Sequence, residues 1–119
     1  MQLPRVVVFG EALTDVVQHS PGRWQGYSGG APWTVARSMS LLDVPTAFAG
    51  SIITDSLGDK LAHQSKAAGL DMRSLQRVDA NPPVAIVPSS HPPQYFFAGE
   101  ADLLFDVDQL PIVKILSEH

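Results

Sequence analysis

The chain has 119 residues, the length of one domain, and its 8 basic against 12 acidic residues give a net charge of −4. Nucleic-acid binding is not expected, because it needs a clustered positive field. With no cysteine, disulfides and thiolate metal sites are excluded. No apolar run approaches the ~20 residues of a membrane span. The chain begins directly with a predicted strand, so no signal peptide is expected and a soluble cytoplasmic protein is predicted.

The first thirty residues contain one clear strand pattern and two weaker ones. Residues 6–9 form a continuous β-branched run that ends at Gly10. Such runs are typical of strands buried on both faces in an α/β sheet. Residues 15–17 and 24–27 are weaker strand candidates on either side of a turn at 20–22.

A helix is predicted over residues 32–42, because Pro32 suits the first turn of a helix. Val35, Met39 and Leu42 recur at helical spacing and are predicted to share one face. The helix should end at Asp43-Val44-Pro45, since the residue before a proline avoids the helical region.

Strand and helix patterns then alternate again. Residues 46–50 predict a strand, Asp55 or Ser56 caps a second helix, Gly69 suits its left-handed end, and 71–78 predict a third strand. This order is typical of an α/β fold with a parallel sheet and right-handed crossovers.

The remainder of the chain has a different pattern. Residues 83–87 and 94–97 are two short strands, predicted to pair antiparallel across a proline-stiffened loop at 88–93. The tail from 101 to 119 is acidic and becomes weakly helical after Pro111.

Two features could form a polar crevice for a hydroxyl-rich small molecule. Asp15 follows a buried strand, ligands of parallel sheets bind at the carboxyl ends of strands, and a carboxylate can accept from two sugar hydroxyls. Gly29 and Gly30 permit close backbone approach at the opening of a helix with unpaired N–H groups. The alternatives are a turn acid that bonds its own backbone and a merely flexible entry to the helix.

Other candidates point less clearly to chemistry. Alternation places Tyr95 and Phe97 on one face of a strand, where they either cover the apolar face of a sugar or belong to an ordinary core. Glu11 is interpreted as a solvated loop acid. The four histidines lack metal-ligand spacing, so no metal site is predicted. Neither a dinucleotide fingerprint nor a G-x-x-x-x-G-K-[ST] phosphate loop is present.

Taken in order, these segments resemble the N-terminal part of the ribokinase-like (PfkB-type) carbohydrate kinases, most of all fructokinases. The matching pieces are Val6 to Asp15, Gly29-Gly30-Ala31-Pro32 with Val35-Ala36, Pro45 to Gly50 with Asp55 and Gly58-Asp59, Pro83 to Val87 with Tyr95-Phe96-Phe97, and Ala101-Asp102-Leu103. The resemblance implies a partial ribokinase-like parallel sheet with helices and a small antiparallel lid. The sheet core would cover about 1–15 and 29–78, the lid strands about 16–28 and 79–100, and the tail 101–119.

The resemblance also implies an activity. In that family a sugar hydroxyl attacks the γ-phosphate of Mg-ATP, and an aspartate in a Gly-Ala-Gly-Asp motif takes the proton. This sequence contains neither that motif nor the nucleotide site, so we assign no catalytic residue. We expect the chain alone to bind neither ATP nor Mg²⁺ and to have no turnover.

The resemblance assigns sugar contacts to individual positions. Asp15 would accept sugar hydroxyls, and Gly29 and Gly30 would provide the close backbone approach. Thr34 stands where the family has an asparagine, and Asp43 stands where it usually has a glycine. Phe97 completes the set of predicted substrate contacts.

Three functions remain open: a truncated sugar-kinase relative without turnover, a non-catalytic sugar-binding or self-associating module, and one piece of a longer active enzyme. The expected partners are a small-molecule sugar and a second copy of the chain, because an uncovered parallel sheet has open edges. Neither nucleic acid nor membrane is expected.

Overall fold

The computed structural model describes residues 3–90, 93–99 and 101–110. Its strands and α-helices are β1 (Val6–Phe9), β2 (Leu13–Ser20), β3 (Arg23–Gly29), α1 (Ala31–Leu41), β4 (Thr46–Ile53), α2 (Ser56–Ala67), β5 (Leu75–Val78), β6 (Val84–Ser90) and β7 (Pro93–Ala98). Short 3₁₀ turns lie at Met72–Ser74, Ala101–Leu104 and Val107–Gln109. Within the described part of the chain, no helix is long and apolar enough to cross a membrane.

The strands β1, β4 and β5 form a parallel three-stranded sheet, which we call the core sheet. The order β1-β4-β5 confirms the predicted α/β arrangement, with α1 connecting β1 to β4 through the first helical crossover and α2 connecting β4 to β5. The central strand β4 is buried along its whole length and runs three residues past the predicted strand at 46–50. The third strand begins later than predicted, because Asp71 caps the 3₁₀ turn at Met72–Ser74.

The remaining strands form a second sheet of order β3-β2-β6-β7, which we call the lid sheet. The hairpins β2–β3 and β6–β7 are antiparallel, which confirms the predicted pairing of the second hairpin. At the centre of the lid sheet, β2 and β6 pair in parallel. All four strands are longer than their sequence patterns indicate. The predicted loop at 88–93 shrinks accordingly, and its residues 91 and 92 lie outside the described part of the chain, as does the segment after Pro111.

The core lies between β4 and the two helices. Trp33 is only 3% exposed, and its indole N–H donates to the hydroxyl of Ser65 at 2.9 Å. Ser65 in turn donates to the carbonyl of Leu61 at 2.7 Å, so the buried hydroxyl is satisfied on both sides. This chain of hydrogen bonds joins α1 to α2 beneath the sheet, where Phe48 and Ile52 of β4 complete the cluster.

The face that α1 buries is not the one on which Val35, Met39 and Leu42 recur. Val35 is 51% and Leu42 is 77% exposed, whereas Trp33 and Ala36 are the residues of α1 that are buried. Spacing alone leaves the rotational phase of a short helix open. The phase is set here by Trp33, whose large apolar ring and single donor both find partners inside.

The end of α1 has a strained residue. Asp43 has φ +65°, the left-handed conformation that glycine adopts most easily, and it is the one described non-glycine residue with positive φ. Its position matches the site where the family resemblance places a glycine.

We expect Asp43→Gly to raise the free energy of unfolding by about 0.5–1 kcal/mol, because it removes both the left-handed strain and an acid from a helix C-terminus. Thermal unfolding followed by circular dichroism measures the change. Asp43→Ala is the matched control: it removes the same charge but keeps a Cβ at positive φ, so it should stabilise less than Asp43→Gly. Equal stabilisation by both variants would contradict the role of backbone strain.

Candidate sugar-binding site

The register of the lid sheet aligns four side chains on one face. Asp15 of β2 is opposite Tyr27 of β3 and Ala85 of β6, and Ala85 is opposite Phe97 of β7. Because directly paired residues share a face of a sheet, these four form one row across the lid sheet. Asp15 thus belongs to the lid sheet and does not lie at the end of a core strand.

The carboxylate of Asp15 lies directly against the backbone of Gly29. A methyl group added to Gly29 would overlap Oδ2 of Asp15 and would lie 3.1 Å from its Cγ. Gly29 pairs with Leu13, two residues before Asp15, so the carboxylate reaches diagonally across the hairpin. A side chain at position 29 would displace the Asp15 carboxylate from this place.

The backbone turns into α1 immediately after this contact. Gly30 has φ +94°, and a Cβ there would stand 2.9 Å from the carbonyl oxygen of Glu11. Glycine at position 30 therefore permits both the positive φ and the close approach to the Glu11 carbonyl. It begins α1 without a side-chain cap, and its carbonyl accepts from the N–H of Thr34 at 2.9 Å.

The structure thus brings most of the predicted site residues together where β3 ends and α1 begins, a place that we call the corner. Asp15, Gly29 and Gly30 are in contact or adjacent, and Thr34 is an exposed residue in the first turn of the helix that starts there. First-turn N–H groups have no partner inside a helix and remain available to a ligand. The corner therefore offers one anionic acceptor and backbone donors, the combination that suits a polyol.

Partial burial raises the pKa of the Asp15 carboxyl above its ordinary value of 3.8, and loss of hydration is the cause. Two basic side chains of the chain bind its own oxygens. Lys60 donates to the carbonyl of Gly26 at 3.0 Å, and Arg77 binds the carbonyl of Ile53 and the carboxylate of Asp59. Across the described ranges, no group of three or more potential metal ligands converges.

Phe97 shares the face of Asp15 but not its corner. It stands two strands away, about 10 Å at ordinary strand spacing, and 72% of it is exposed. Its ring stacks on that of Tyr95 with centroids 6.4 Å apart, which confirms that the two share a face. Neither ring belongs to the core, so the alternative that Tyr95 and Phe97 are ordinary core residues is wrong.

Sequence reasoning missed the neighbour of Asp15 in the same row. The Tyr27 hydroxyl and Nε2 of His19 share a hydrogen bond of 2.7 Å, and their rings meet edge-on with centroids 5.8 Å apart. The pairing of 24–27 with 15–17 across the 20–22 turn is the signal that could have placed Tyr27 opposite Asp15.

A depression lies away from this corner, at the other end of the core sheet. Its volume is about 550 Å³, and its lining includes Leu3, Asp43, Thr46 and Asp71. Thr46 begins β4, so this depression is at the amino ends of the core strands, whereas ligands of such sheets bind outside the carboxyl ends. We assign it no role.

The model of a protein family described as "pfkB family carbohydrate kinase" matches residues 3–98 of this chain. The crystal structure of a fructokinase with bound ATP from Xylella fastidiosa is 30% identical over 94% of this chain, with a TM-score of 0.84. A putative ribokinase II in complex with ATP and Mg²⁺ from E. coli shares the fold at 23% identity over 98% of this chain, with a TM-score of 0.79.

The chain belongs to the pfkB family of carbohydrate kinases. Its fold is a partial ribokinase-like one, as the residue pattern predicted. The chain spans 36% of the Xylella fastidiosa fructokinase and 41% of the E. coli protein.

We expect Asp15→Asn to be more stable than the parent protein near neutral pH. An acid with a raised folded-state pKa binds protons more tightly when folded, so its ionisation costs stability as the pH rises above 3.8 and through the folded-state value. Denaturant unfolding of both proteins across the acidic range measures the effect. The difference should shrink towards low pH, where both side chains are neutral; a difference that grows there would contradict the desolvated carboxyl.

Proposed function

We propose that this chain supplies the sugar-binding part of an ATP-dependent carbohydrate kinase that acts on a fructose- or ribose-type sugar. One observation carries the proposal: the Asp15 carboxylate lies against the Gly29 backbone where α1 opens. Family membership supports the carbohydrate class of the ligand.

The corner can hold a sugar through complementary hydrogen bonds. The two oxygens of Asp15 can accept from a pair of neighbouring hydroxyls, and charge-assisted bonds of this kind are roughly twice as strong as neutral ones. The absence of side chains at Gly29 and Gly30 lets the ring approach the backbone. First-turn N–H groups of α1 can donate to a sugar oxygen on the other side.

The same residues do not fit a nucleoside triphosphate. The corner presents a half-buried carboxylate, which repels a phosphate chain, and Lys60 and Arg77 are engaged with the chain's own oxygens. When bound, Mg-ATP supplies the phosphoryl group in this family. The role of the described residues ends at binding and orienting the sugar.

The chain alone should therefore have no kinase turnover. A coupled assay with ATP, Mg²⁺ and a panel of ketoses and pentoses measures this. Phosphorylation of any of these sugars by the purified chain would contradict the division of roles between sugar binding and phosphate transfer.

We expect isothermal titration calorimetry to detect binding of fructose or ribose, and Asp15→Ala to weaken it by about 100-fold. Loss of two hydrogen bonds to a charged acceptor accounts for a change of that size. Asp108→Ala, which removes an exposed acid from another part of the chain, is the matched control. Equal affinities of parent, Asp15→Ala and Asp108→Ala would overturn the site.

Thr34→Asn should tighten sugar binding by about 3- to 10-fold. An amide offers both a donor and an acceptor and reaches further than the threonine hydroxyl. Ser38→Asn, one turn further along the exposed side of α1, serves as the control for a nonspecific effect of asparagine on the helix. Unchanged affinity of Thr34→Asn would place residue 34 outside the contact surface, and weaker binding would show that the longer amide does not fit there.

A further inference from the structure

A tyrosine ring stands beside the Asp15 carboxylate on the lid sheet. Tyr27 of β3 is directly opposite Asp15 of β2, and directly paired residues of an antiparallel sheet have their Cβ atoms about 5 Å apart on one face. The tyrosine is 39% exposed and lies outside the buried core cluster. Core packing therefore does not account for an aromatic ring next to the acid.

The hydroxyl of Tyr27 fixes the direction in which the ring lies. It shares a hydrogen bond of 2.7 Å with Nε2 of His19, which follows Asp15 by four residues on β2. Because a strand rises about 3.3 Å per residue, the ring leans along the sheet from the level of Asp15 towards His19. β2 runs away from the corner, since its first residue, Leu13, pairs with Gly29. The ring thus lies on the side of Asp15 that is remote from the start of α1.

A β-bulge brings His19 to this position. Gln18 pairs with Trp24, and the next pair along the hairpin is Ser20 with Arg23. β2 therefore has one extra residue, His19, which has no directly opposite residue on β3. Bulges of this kind redirect a side chain and are frequent next to functional sites. The imidazole meets the phenol ring edge-on with centroids 5.8 Å apart, so two contacts hold an exposed ring in one orientation, at a cost in side-chain entropy.

We propose that Tyr27 is a further sugar-contacting residue, which forms the wall of the site opposite the α1 amides, and that His19 is the residue that positions it. This role rests on the proposed function, because Tyr27 has a ligand to contact only if Asp15 binds a sugar. A sugar held by Asp15 and the first-turn amides presents C–H groups to the ring on its remaining side, and apolar sugar faces stack on aromatic rings. Sites for small molecules commonly combine a few polar groups that fix orientation with aromatic walls.

The other side of Asp15 is open by comparison. Ala85 occupies the next place in the row with a methyl group alone, and Phe97 follows one strand further on. At ordinary strand spacing, Tyr27 is about 5 Å from the strand of the acid and Phe97 about 10 Å. Tyr27 is therefore the nearer aromatic residue, and its contact should depend on the ring itself more than on the hydroxyl, which is engaged with His19.

Isothermal titration calorimetry with fructose and ribose tests the contact. Tyr27→Ala should weaken binding by about 10-fold, because the sugar loses one aromatic wall. Tyr27→Phe keeps the ring and loses only the bond to His19, so it should retain most of the affinity. Trp24→Ala is the matched control, since it removes an exposed aromatic ring from the opposite face of the same strand, and it should bind as the parent chain does. Circular dichroism verifies that each variant folds.

The positioning role of His19 has its own readout. His19→Ala and Tyr27→Phe should each weaken binding by about 2- to 3-fold, and the double variant should be no weaker than either, because both changes remove one hydrogen bond. In the parent chain with 13C-labelled histidine, the NMR signal of His19 should shift during the titration with the Kd that calorimetry gives. The signal of His63, an exposed residue of α2, is the internal control and should stay in place.

The outcomes separate this role from the proposed function. Full affinity of Tyr27→Ala together with weak binding by Asp15→Ala would overturn the Tyr27 contact and leave the sugar site in place. Equal losses in Tyr27→Ala and Trp24→Ala would also overturn it, because the loss would then come from the hairpin as a whole. Absence of sugar binding by the parent chain, or full affinity of Asp15→Ala, would overturn the proposed function and the role of Tyr27 with it.

Discussion

The contact between the Asp15 carboxylate and the backbone of Gly29 constrains everything around it. Because the acid occupies the space that a Cβ would take, a side chain at position 29 would move the carboxylate away from the end of β3. The chain then has a single residue, Gly30, in which to turn from strand to helix, and it does so at a positive φ close to the Glu11 carbonyl. α1 thus starts two residues after the contact that shapes the corner.

The core gives this corner a rigid base. Trp33 lies three residues after Gly30, and its hydrogen bond to Ser65 attaches the first turn of α1 to α2. Lys60 of α2 donates to the carbonyl of Gly26 on β3, an exposed hydrogen bond that links α2 to the lid sheet. The buried bond of Trp33 costs more to break than this exposed one, because its loss leaves an unsatisfied group behind. The helix start is therefore held in place by packing well away from the acid.

Much of this arrangement could be predicted from the sequence, and the failures have physical causes. The β-branched run at 6–9, the glycine pair and the caps of α2 each act locally, and the parallel sheet and both helices were predicted correctly from them. The buried face of α1 could not be predicted, because it depends on the hydrogen bond from Trp33 to the buried hydroxyl of Ser65, which residue spacing does not reveal. The placement of Asp15 in the lid sheet depends on the parallel pairing of β2 with β6, a contact between segments about seventy residues apart. The predicted burial of 6–9 on both faces is wrong for Val7 and Phe9, which are 36% and 58% exposed, because burial depends on what covers β1, which no local pattern contains.

The membership of Asp15 in the lid sheet has a mechanical consequence. Asp15 and Gly29 are both held in the ladder of that sheet, whereas the first amides of α1 belong to the layer anchored by Trp33. The chain passes from one layer to the other through Gly10 and Gly30, both at positive φ. A rigid-body tilt of the lid sheet would carry the carboxylate with it and change its separation from the helix amides, with every rung of the ladder intact. The carboxylate and the helix amides would then move relative to each other, and the backbone at Gly10 and Gly30 would act as the hinge.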